Sequence, residues 1–494
     1  MNKTTKQVAC DLVVIGSGAG GMMAALAAYD AGIQNIIILE KLHAPGGNTL
    51  FPSVPIGGPA GGLPPEGAPN SQEPPPKDRI GFASTPDEMF QLSMEWSHWR
   101  NDAAIVRALV DRVGEIEDFL QKHAAPDIII NMKTRLPQLI IPTLSKYGIP
   151  IWTDTAARHL RKNKDNVVTG VYAEGKECNY EITAQAVVMS TGGFIYSDQY
   201  MERFFHAYSP KLKEELAYLG MRHTGDGIAM AEEIGGNLNG TVAFEWEINR
   251  FPWARIGSSS LVELVEQNAN PEVLWVDKKG HRFTNESDGV ALNAIYTLQD
   301  KMSYTIFDET MKQKYYHTPP RPYVLEDIGP NWREKCEEEL IHHQDLGHLI
   351  VTDSLDEMAE FIGCDPKVLE ETINQYNSFC DKGHDDLFLK DPRYLRPIRQ
   401  PPYYCVAAKL GILLTRGPLK VDSSMALLDN NYDPIPGIFC AGVDIGGTDT
   451  DTYCCPLAAH SFRWALTSGR IAGESAAKSI LQQNAQAAMV HTQA

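Results

Sequence analysis

The 494-residue sequence has few of the features that mark membrane, secreted or nucleic-acid-binding proteins. No apolar segment reaches the roughly 18–20 residues that a membrane-spanning helix requires. Acidic residues outnumber basic residues by 63 to 44, and the resulting net charge of −19 disfavours partners that need basic patches, such as nucleic acid and anionic membranes. The short N-terminal apolar run meets glycines rather than a signal-peptide cleavage site, so we expect a cytoplasmic protein.

The nine cysteines show no metal-binding or disulfide pattern. Their number is odd and none belongs to a C-x-x-C pair, which disfavours a disulfide framework, a zinc ribbon, a c-type haem and an iron–sulfur cluster. Cys454 and Cys455 are adjacent, and either form a strained vicinal disulfide or, more simply, pack as two small side chains. We therefore predict no metal site.

The most informative segment lies near the N-terminus, where two short apolar runs flank an alanine-rich stretch. Asp11–Ile15 and Ile36–Leu39 are predicted to be buried parallel strands, and Met22–Ala31 is predicted to be the helix between them. This strand–helix–strand order is the βαβ unit of a Rossmann-like dinucleotide-binding fold.

A glycine motif lies at the start of that helix. Gly16, Gly18 and Gly21 fit G-x-G-x-x-G, in which the first glycine permits the tight turn, the second lets the backbone approach a pyrophosphate, and the third allows close packing. Glu40 follows the second strand, where a carboxylate accepts hydrogen bonds from both ribose hydroxyls. The register of all these features predicts a dinucleotide site.

Six further segments accompany this motif. They are HAPGGNT (43–49), AVVMSTGGF (186–194), HTGDGIAMAEEIGGNL (223–238), DKKGHRFTNE (277–286), PIPGIFCAGVDIGG (434–447) and GRIAGESAAKSI (469–480). In this order they resemble the FAD-binding domain of the fumarate reductase/succinate dehydrogenase flavoprotein superfamily, which includes the 3-ketosteroid dehydrogenases. The resemblance covers nearly the whole chain.

The resemblance implies an α/β fold with two domains. A Rossmann-like FAD-binding domain would be built from residues 1–256 and 401–494, and an inserted α+β cap domain from residues 257–400. The active site would lie between cap and flavin, as ligand sites often do at domain interfaces. The proline- and glycine-rich loop 52–77 is either a mobile lid or a surface excursion.

The resemblance also implies which residues contact the cofactor. They are Gly16, Gly18, Ala19, Gly20, Gly21, Glu40, Lys41, Gly46, Gly47, Asn48, Thr49, Thr191, Gly192, Asp226, Gly442, Asp444 and Leu457. Asp444 would bind the ribitol chain. His43 lies closer to its Gly-Gly pair than the flavin-linked histidine of succinate dehydrogenases does, so we expect FAD to be bound non-covalently.

The positions of the fumarate-binding groups differ from the family pattern. Fumarate reductases hold a dicarboxylate with histidines and arginines, and use an arginine as proton donor. In this sequence the corresponding positions hold Ser287–Val290, Leu414, Thr452 and Pro456. The substitutions disfavour simple dicarboxylate chemistry. The 3-ketosteroid dehydrogenases fit slightly better, although one of their two tyrosines has no counterpart here.

The remaining candidates form an aromatic-rich set with few charges. They are Tyr453, Tyr403, Tyr404, Trp246, Arg250, Arg416 and His460. We expect Tyr453 to donate a hydrogen bond to a ketone, because a phenol with a pKa near 10 stays protonated. Arg416 and Arg250 are the other predicted catalytic residues. A packing role for Tyr453, a surface position for Arg416 and a core position for His460 are open alternatives.

These residues together predict an FAD-dependent oxidoreductase that desaturates or reduces a Cα–Cβ bond next to a carbonyl, with hydride passing through flavin N5. The substrate would be an enone or ketone, steroid-like or alicyclic. With a single G-x-G-x-x-G motif, electrons would come from or go to an external partner. Two alternatives are a fumarate-reductase-like enzyme with a rebuilt clamp (Arg250, Arg255 or Arg416) and a flavin electron carrier without its own substrate.

Overall fold

The computed structural model describes residues 3–50, 85–124, 136–249, 271–288, 291–318, 328–450, 453 and 460–493. The predicted loop 52–77, Arg250, Arg255, Leu457 and the pair Cys454–Cys455 lie outside these residues. None of the helices in this part of the chain has both the length and the apolar composition that crossing a membrane demands.

The described residues contain sixteen strands and thirteen α-helices. The strands are β1 Thr5–Ala9, β2 Leu12–Ile15, β3 Ile36–Leu39, β4 Ile151–Trp152, β5 Thr155–Lys162, β6 Val168–Gly175, β7 Asn179–Thr183, β8 Ala186–Met189, β9 Ala217–Tyr218, β10 Ala243–Asn249, β11 Leu274–Val276, β12 Met302–Asp308, β13 Leu349–Thr352, β14 Tyr403–Arg416, β15 Ala426–Leu428 and β16 Pro434–Cys440. The helices are α1 Ala19–Asp30, α2 Pro86–Trp96, α3 Ala103–Arg112, α4 Ile116–His123, α5 Leu136–Lys146, α6 Asp198–Phe204, α7 Pro210–Glu215, α8 Asp226–Glu233, α9 Glu309–His317, α10 Trp332–Asp345, α11 Leu355–Ile362, α12 Pro366–Lys382 and α13 His460–Gln493.

The first sheet has the strand order β15-β16-β8-β2-β3-β4. All neighbours from β16 to β4 are parallel, and only the edge strand β15 is antiparallel. Every residue of β2, β3 and β8 is buried, as expected for continuous apolar strands that are covered on both faces. The predicted α/β, Rossmann-like core is therefore confirmed.

Two helices pack side by side against this sheet. The first, α1, connects β2 to β3, and the long C-terminal helix α13 lies along it. The approach is close because glycines replace side chains at the contact: a Cβ on Gly469 or Gly473 would overlap the carbonyl oxygen of Gly20 or Ala24. The two glycines of the family-like segment 469–480 are thus explained by the close packing of α13 on α1.

The second sheet is arranged around β14. Its order is β10-β14-β12-β11, and β13 and β9 also pair with β14. Two apolar clusters lie on it, one with Trp275 and Phe307 at its centre and the other with Tyr376. Helices α9, α10 and α12 lie in the same region of the chain.

The second sheet takes strands from both sides of the predicted insertion. Both β10 and β14 lie outside residues 257–400 in sequence, yet they pair with each other, and β14 also pairs with β12 inside that range. The domain boundaries themselves stay a prediction. The pairing shows that the two ends of the inserted region are held together by backbone hydrogen bonds.

A third, four-stranded sheet has the order β1-β7-β6-β5. Strands β6 and β7 form an antiparallel hairpin within it. Strands β5 and β1 extend it on either side, the latter in parallel.

The carboxyl ends of several strands meet at one edge of the first sheet, where β2, β3, β8 and β16 all end. The second sheet is joined to this edge, because Phe194 N donates a hydrogen bond of 2.8 Å to Thr415 Oγ1 near the end of β14. Ligands bind at such an edge in open α/β sheets.

The helix contact provides a test of this packing. We expect Gly473→Ala to destabilise the protein by about 1–3 kcal/mol, since its methyl group would press on the Ala24 carbonyl oxygen. Urea unfolding followed by circular dichroism measures this change. Gly114→Ala is the matched control, because a Cβ there meets no atom within 4 Å. Equal midpoints for both variants would contradict close packing of α1 and α13.

Candidate functional site

A cavity of about 290 Å³ lies where these strand ends meet. Most of the residues predicted to bind the cofactor line it: Gly16, Gly18, Ala19, Gly20, Glu40, Lys41, Gly47, Asn48, Thr49, Thr191, Gly192, Asp226 and Gly442. Tyr453, the first of the predicted catalytic residues, lines the same cavity. The fold thus brings together residues that are more than 400 positions apart in the sequence.

The turn after β2 forms one wall of this cavity. Gly16 has a φ of +99°, and a Cβ on it would overlap the Ser190 carbonyl oxygen, so only glycine fits there. At Gly18 the situation is the opposite. A Cβ there would have only Thr49 Oγ1 within 4 Å, at 3.9 Å, and would therefore project into open space. An unfilled cradle at the start of α1 fits the close approach of a pyrophosphate to backbone N–H groups.

The carboxylate of Glu40 is oriented by the same turn. Its Oε2 accepts hydrogen bonds from Ser17 N at 3.1 Å and Ser17 Oγ at 2.5 Å, and its Oε1 accepts one from Leu42 N at 2.8 Å. Gly46 N in turn donates to Ser17 Oγ at 3.1 Å, which places Gly46 behind the lining rather than in it. Ser17 was not predicted from the sequence, although its position inside the glycine motif is a usable signal.

We call the part of the lining formed by residues 16–20 and 40–42 the glycine-rich wall. Asn48 and Thr49, which follow β3, connect it to other elements. Ala19 N at the start of α1 donates to Thr49 Oγ1 at 2.8 Å. Asn48 Oδ1 accepts from Met221 N at 2.6 Å, and Asn48 Nδ2 donates to the Leu413 carbonyl in β14 at 3.4 Å. Asn48 and Thr49 therefore connect α1 to the second sheet.

A charged pair lies beside this wall. Lys41 Nζ donates to Asp226 Oδ2 and to Thr224 Oγ1, each at 2.8 Å. Burial acts to raise the pKa of Asp226, but Lys41, Thr224 and Arg158 together hold it below the ordinary value. The neighbouring His223 also lines the cavity, and burial lowers its pKa to about 4, so this imidazole is neutral at pH 7. The sequence analysis did not select His223.

Asp444 supports the cavity from behind. Its side chain is fully buried and accepts hydrogen bonds from Thr191 N at 2.5 Å and from Thr191 Oγ1 at 3.1 Å. Burial raises the pKa of this carboxyl to about 7. Asp444 thus positions Thr191, which lines the cavity, whereas Gly21 packs against Gly16 without reaching the cavity.

The opposite part of the cavity, which we call the tyrosine wall, is formed by Glu245, Leu413, Leu414, Tyr453, Ser461 and Phe462. Ser461 connects its polar groups. The Ser461 backbone N donates to Tyr453 Oη at 3.2 Å, and Ser461 Oγ donates to Glu245 Oε2 at 2.5 Å. Burial raises the pKa of Glu245 to about 7. The sequence analysis did not select Glu245. The signal that could have found it is its position between the aromatic residues Phe244 and Trp246 in a strand.

Arg416 lies behind the tyrosine wall. It is 1 % exposed, and its Nη1 forms an ion pair of 2.6 Å with Asp449 Oδ2. Its guanidinium lies 6.0 Å from the centre of the Tyr453 ring. His460 Nε2 is 3.4 Å from Asp449 Oδ2, and burial lowers the pKa of His460. Arg416 and His460 are therefore core residues beside Tyr453, and neither lines the cavity.

The other candidates are distributed differently. Tyr403 donates to the Arg399 carbonyl at 3.3 Å, and Tyr404 donates to Glu309 Oε2 at 2.6 Å. Both hydroxyls are therefore hydrogen-bonded away from the cavity, and neither residue lines it. Trp246 belongs to an aromatic cluster, with its ring 5.4 Å from that of Tyr296. Arg250 and Leu457 lie outside the described residues. Within the described ranges, no group of three His, Cys, Asp or Glu side chains is arranged to hold a metal ion.

Comparison with known proteins shows the family to which the chain belongs. A sequence model of the FAD binding domain family matches residues 11–137 and 132–451 of the chain. This match covers the glycine motif, β8 with the segment after it, and β16 with Asp444.

Three known proteins illustrate the similarity. The fumarate reductase (cytochrome) of Shewanella frigidimarina is 26 % identical over 488 residues, which cover 95 % of this chain and 77 % of the relative. The vinyl phenol reductase of Lactiplantibacillus plantarum is 26 % identical over 503 residues, covering 96 % and 97 %. The solved structure of 3-ketosteroid Δ1-dehydrogenase from Sterolibacterium denitrificans has a TM-score of 0.67 at 19 % identity, covering 95 % of this chain and 100 % of that one. The last likeness shows the fold alone.

The open space at Gly18 leads to a test of cofactor binding that is separate from folding. Gly18→Ala fits the protein, since its methyl group meets no closer atom than Thr49 Oγ1 at 3.9 Å, but it fills part of the cradle. We expect an unchanged thermal midpoint of the apoprotein and at least a tenfold weaker affinity for FAD, measured by fluorescence titration. Gly114→Ala is again the control. An unchanged affinity for FAD would show that the cofactor does not approach this turn.

The raised pKa values lead to a second test, in the pH dependence of stability. A carboxyl whose folded pKa of about 7 exceeds its unfolded pKa of about 4 binds more protons when folded. Its contribution to the free energy of unfolding is therefore present below pH 4 and is lost as the pH rises to 7. Groups with lowered pKa values, such as His223 and Asp226, contribute in the opposite direction, so the test is a difference between two proteins. We expect the free energy of unfolding of the wild-type apoprotein, minus that of Asp444→Asn, to fall between pH 4 and pH 7 when both are measured by urea unfolding. Identical slopes would contradict a shifted pKa at Asp444.

Proposed function

Since the chain belongs to the FAD binding domain family, we propose that it reduces or desaturates the Cα–Cβ bond of an enone or the corresponding ketone. The general activity follows from the family and its members: the chain is a flavoprotein oxidoreductase that acts on CH–CH groups. The proposal concerns the neutral carbonyl substrate and the residues that bind it.

The observation that supports this proposal most directly is the position of Tyr453. Its phenol lines the same cavity as the glycine-rich turn, and its oxygen accepts a hydrogen bond from Ser461 N. A hydroxyl that accepts one hydrogen bond becomes a stronger donor in another. We infer that Tyr453 Oη donates to the substrate carbonyl, which makes the neighbouring Cα–H more acidic and stabilises the enolate in either direction of the reaction.

The charges around the tyrosine wall favour a neutral substrate. Of the described residues that line the cavity, the two cationic ones are Lys41 and Arg222, and Lys41 forms an ion pair with Asp226. The charge of Arg416 is compensated by Asp449. Glu245 adds a carboxyl group to the wall, and it would repel a second carboxylate when ionised. The named substrate of one relative, a vinyl phenol, also lacks a carboxylate.

The residues of the glycine-rich wall are those that we propose to hold FAD. When bound, FAD supplies the two-electron chemistry, accepting or giving a hydride equivalent. Glu40 is oriented for the ribose hydroxyls, the turn at Gly18 leaves room for the pyrophosphate, and Asp444 positions Thr191 beside the cofactor. We propose non-covalent binding, because the His43 side chain is 89 % exposed, pairs with Asp154 and is not among the cavity-lining residues. An external donor or acceptor would exchange electrons with FAD.

A fumarate-reductase-like activity would need arginines or other cationic side chains that bind the two carboxylates of the substrate. Arg416, one of the three considered in the sequence, is buried and paired with Asp449, so it would have to leave a low-dielectric ion pair to bind a substrate. Arg250 and Arg255 lie outside the described residues. The substrate panel below includes fumarate for this reason.

The role of Tyr453 is tested by pre-steady-state kinetics. Reduced enzyme is mixed with a panel of cyclic enones, steroid enones and fumarate, and flavin reoxidation is followed by absorbance. We expect neutral enones to reoxidise the wild type. Tyr453→Phe should slow the reaction by about 10²–10³-fold, because it removes the hydroxyl donor and keeps the ring. Its FAD content should be unchanged.

Tyr403→Phe is the control for this variant, since the Tyr403 hydroxyl is bound to Arg399 and does not line the cavity. It should react like the wild type. Reoxidation by fumarate and by no enone would contradict the proposed substrate class. Rapid electron exchange with a partner protein, without reoxidation by any organic substrate, would indicate an electron carrier.

A further inference from the structure

We infer that Glu245 exchanges the proton at the substrate Cα while Tyr453 binds the carbonyl oxygen. This inference rests on the proposed function and names the acid–base residue of the same site. It depends on three observations: the place of Glu245 in the tyrosine wall, its connection to Tyr453 through Ser461, and the balance of charges around it.

The side chains of Glu245 and Tyr453 both contact Ser461. Ser461, at the start of α13, contacts Glu245 through its hydroxyl and Tyr453 through its backbone N, at 2.5 Å and 3.2 Å. A carbonyl oxygen and its Cα are two bonds apart, so one enone can reach two groups that are held side by side. Glu245 itself is held by the sheet, since its backbone in β10 pairs with Leu414 in β14.

The surroundings of Glu245 give its carboxyl group a pKa close to neutral pH. Burial raises its pKa to about 7, while Ser461 and Arg416 act to lower it and Asp449 acts to raise it. Arg416 and Asp449 form an ion pair, so their effects on Glu245 partly cancel. The neighbouring titratable rings are Tyr453 and His460, whose centres are 5.8 Å apart. A group with a pKa near the working pH is suited to both giving and taking a proton.

The other acidic side chains near this wall are less suitable. Asp449 is 2 % exposed and bound to Arg416, and it does not line the cavity. Among the described residues that line the cavity, the acids are Glu40, Asp226 and Glu245. Glu40 is held by Ser17 and Leu42, and Asp226 by Lys41, all at the glycine-rich wall. Glu245 is therefore the acid that faces the proposed carbonyl site.

Reduction of the Cα–Cβ bond needs a hydride at Cβ and a proton at Cα. FAD held at the glycine-rich wall and reduced by an external two-electron donor would supply the hydride with its electron pair to Cβ. The Cα–Cβ π bond breaks, its electron pair forms the new Cα–H bond, and the Glu245 O–H bond breaks to supply that proton. Glu245 is left as a carboxylate and regains a proton from solvent. In desaturation the carboxylate takes the proton from Cα, the Cα–H electron pair forms the Cα–Cβ π bond, and the hydrogen on Cβ leaves with its electron pair as a hydride. Bound FAD would accept that hydride, and an external acceptor would then remove the two electrons.

The inference is tested with the FAD-loaded enzyme and an enone that reoxidises it. For the wild type, we expect the reoxidation rate constant to fall as the pH rises through about 7, because the reacting form is the protonated acid. Glu245→Gln should lower the rate constant at pH 6 by about 10²–10⁴-fold and abolish this pH dependence. Its affinity for a non-reacting saturated ketone, measured by flavin absorbance, should stay within a few-fold of the wild type.

Ser461→Ala gives a second, milder variant. It keeps the backbone N that donates to Tyr453 and removes only the hydroxyl that donates to Glu245. Since that hydrogen bond lowers the pKa of Glu245, we expect the falling limb of the pH profile to move to higher pH. Glu232→Gln, which removes a surface carboxyl paired with Arg203, is the control and should behave like the wild type.

The outcomes separate the two levels of the proposal. If no enone reoxidises the wild type, the proposed function is wrong and this inference with it. If enones do so but Glu245→Gln retains the wild-type rate and pH profile, the inference alone is overturned. Should Glu245→Gln fail to bind FAD, the pH profile of Ser461→Ala decides: an unshifted limb rejects Glu245 as the proton donor.

Discussion

The position of the cavity depends on the close approach of two strand ends. Gly16 lies so near the Ser190 carbonyl that no side chain fits between them, and its φ of +99° turns the chain directly into α1. This contact places the N-terminus of α1, the carboxylate of Glu40 and the segment after β8 around one space. The packing of α13 on α1 then brings the start of α13, with Ser461, to the same edge.

The second sheet completes the site through a small number of polar contacts. Thr415 accepts a hydrogen bond from Phe194 N, and Asn48 bridges Met221 and Leu413. These contacts join the ends of β8 and β14, so the cavity has walls from both sheets. A ligand there would be enclosed by a rigid nucleotide-binding edge on one side and by β10 and β14 on the other.

Charge is arranged differently on the two walls. At the glycine-rich wall each acid has its own partner, as with Lys41 and Asp226. Behind the tyrosine wall the ion pair of Arg416 and Asp449 is buried, and its opposite charges nearly cancel. Burial is the largest influence on Glu245 and raises its pKa to about 7. The same protein scaffold thus provides a fixed carboxylate at Glu40 and an exchangeable proton at Glu245.

The sequence by itself determined the βαβ start, the family and the class of reaction, because glycine spacing, apolar strands and a terminal acid are local patterns. It also indicated most residues around the cavity, since they follow the ends of recognisable strands. The tertiary structure alone decided that Arg416 and His460 lie behind Tyr453, that Tyr403 and Tyr404 point into other contacts, and that Glu245 joins Tyr453 through Ser461. The physical reason is that burial and hydrogen-bond partners are set by elements far apart in the chain, such as β10 with Glu245 and α13 with Ser461, two residues that are 216 positions apart. No local pattern contains that information.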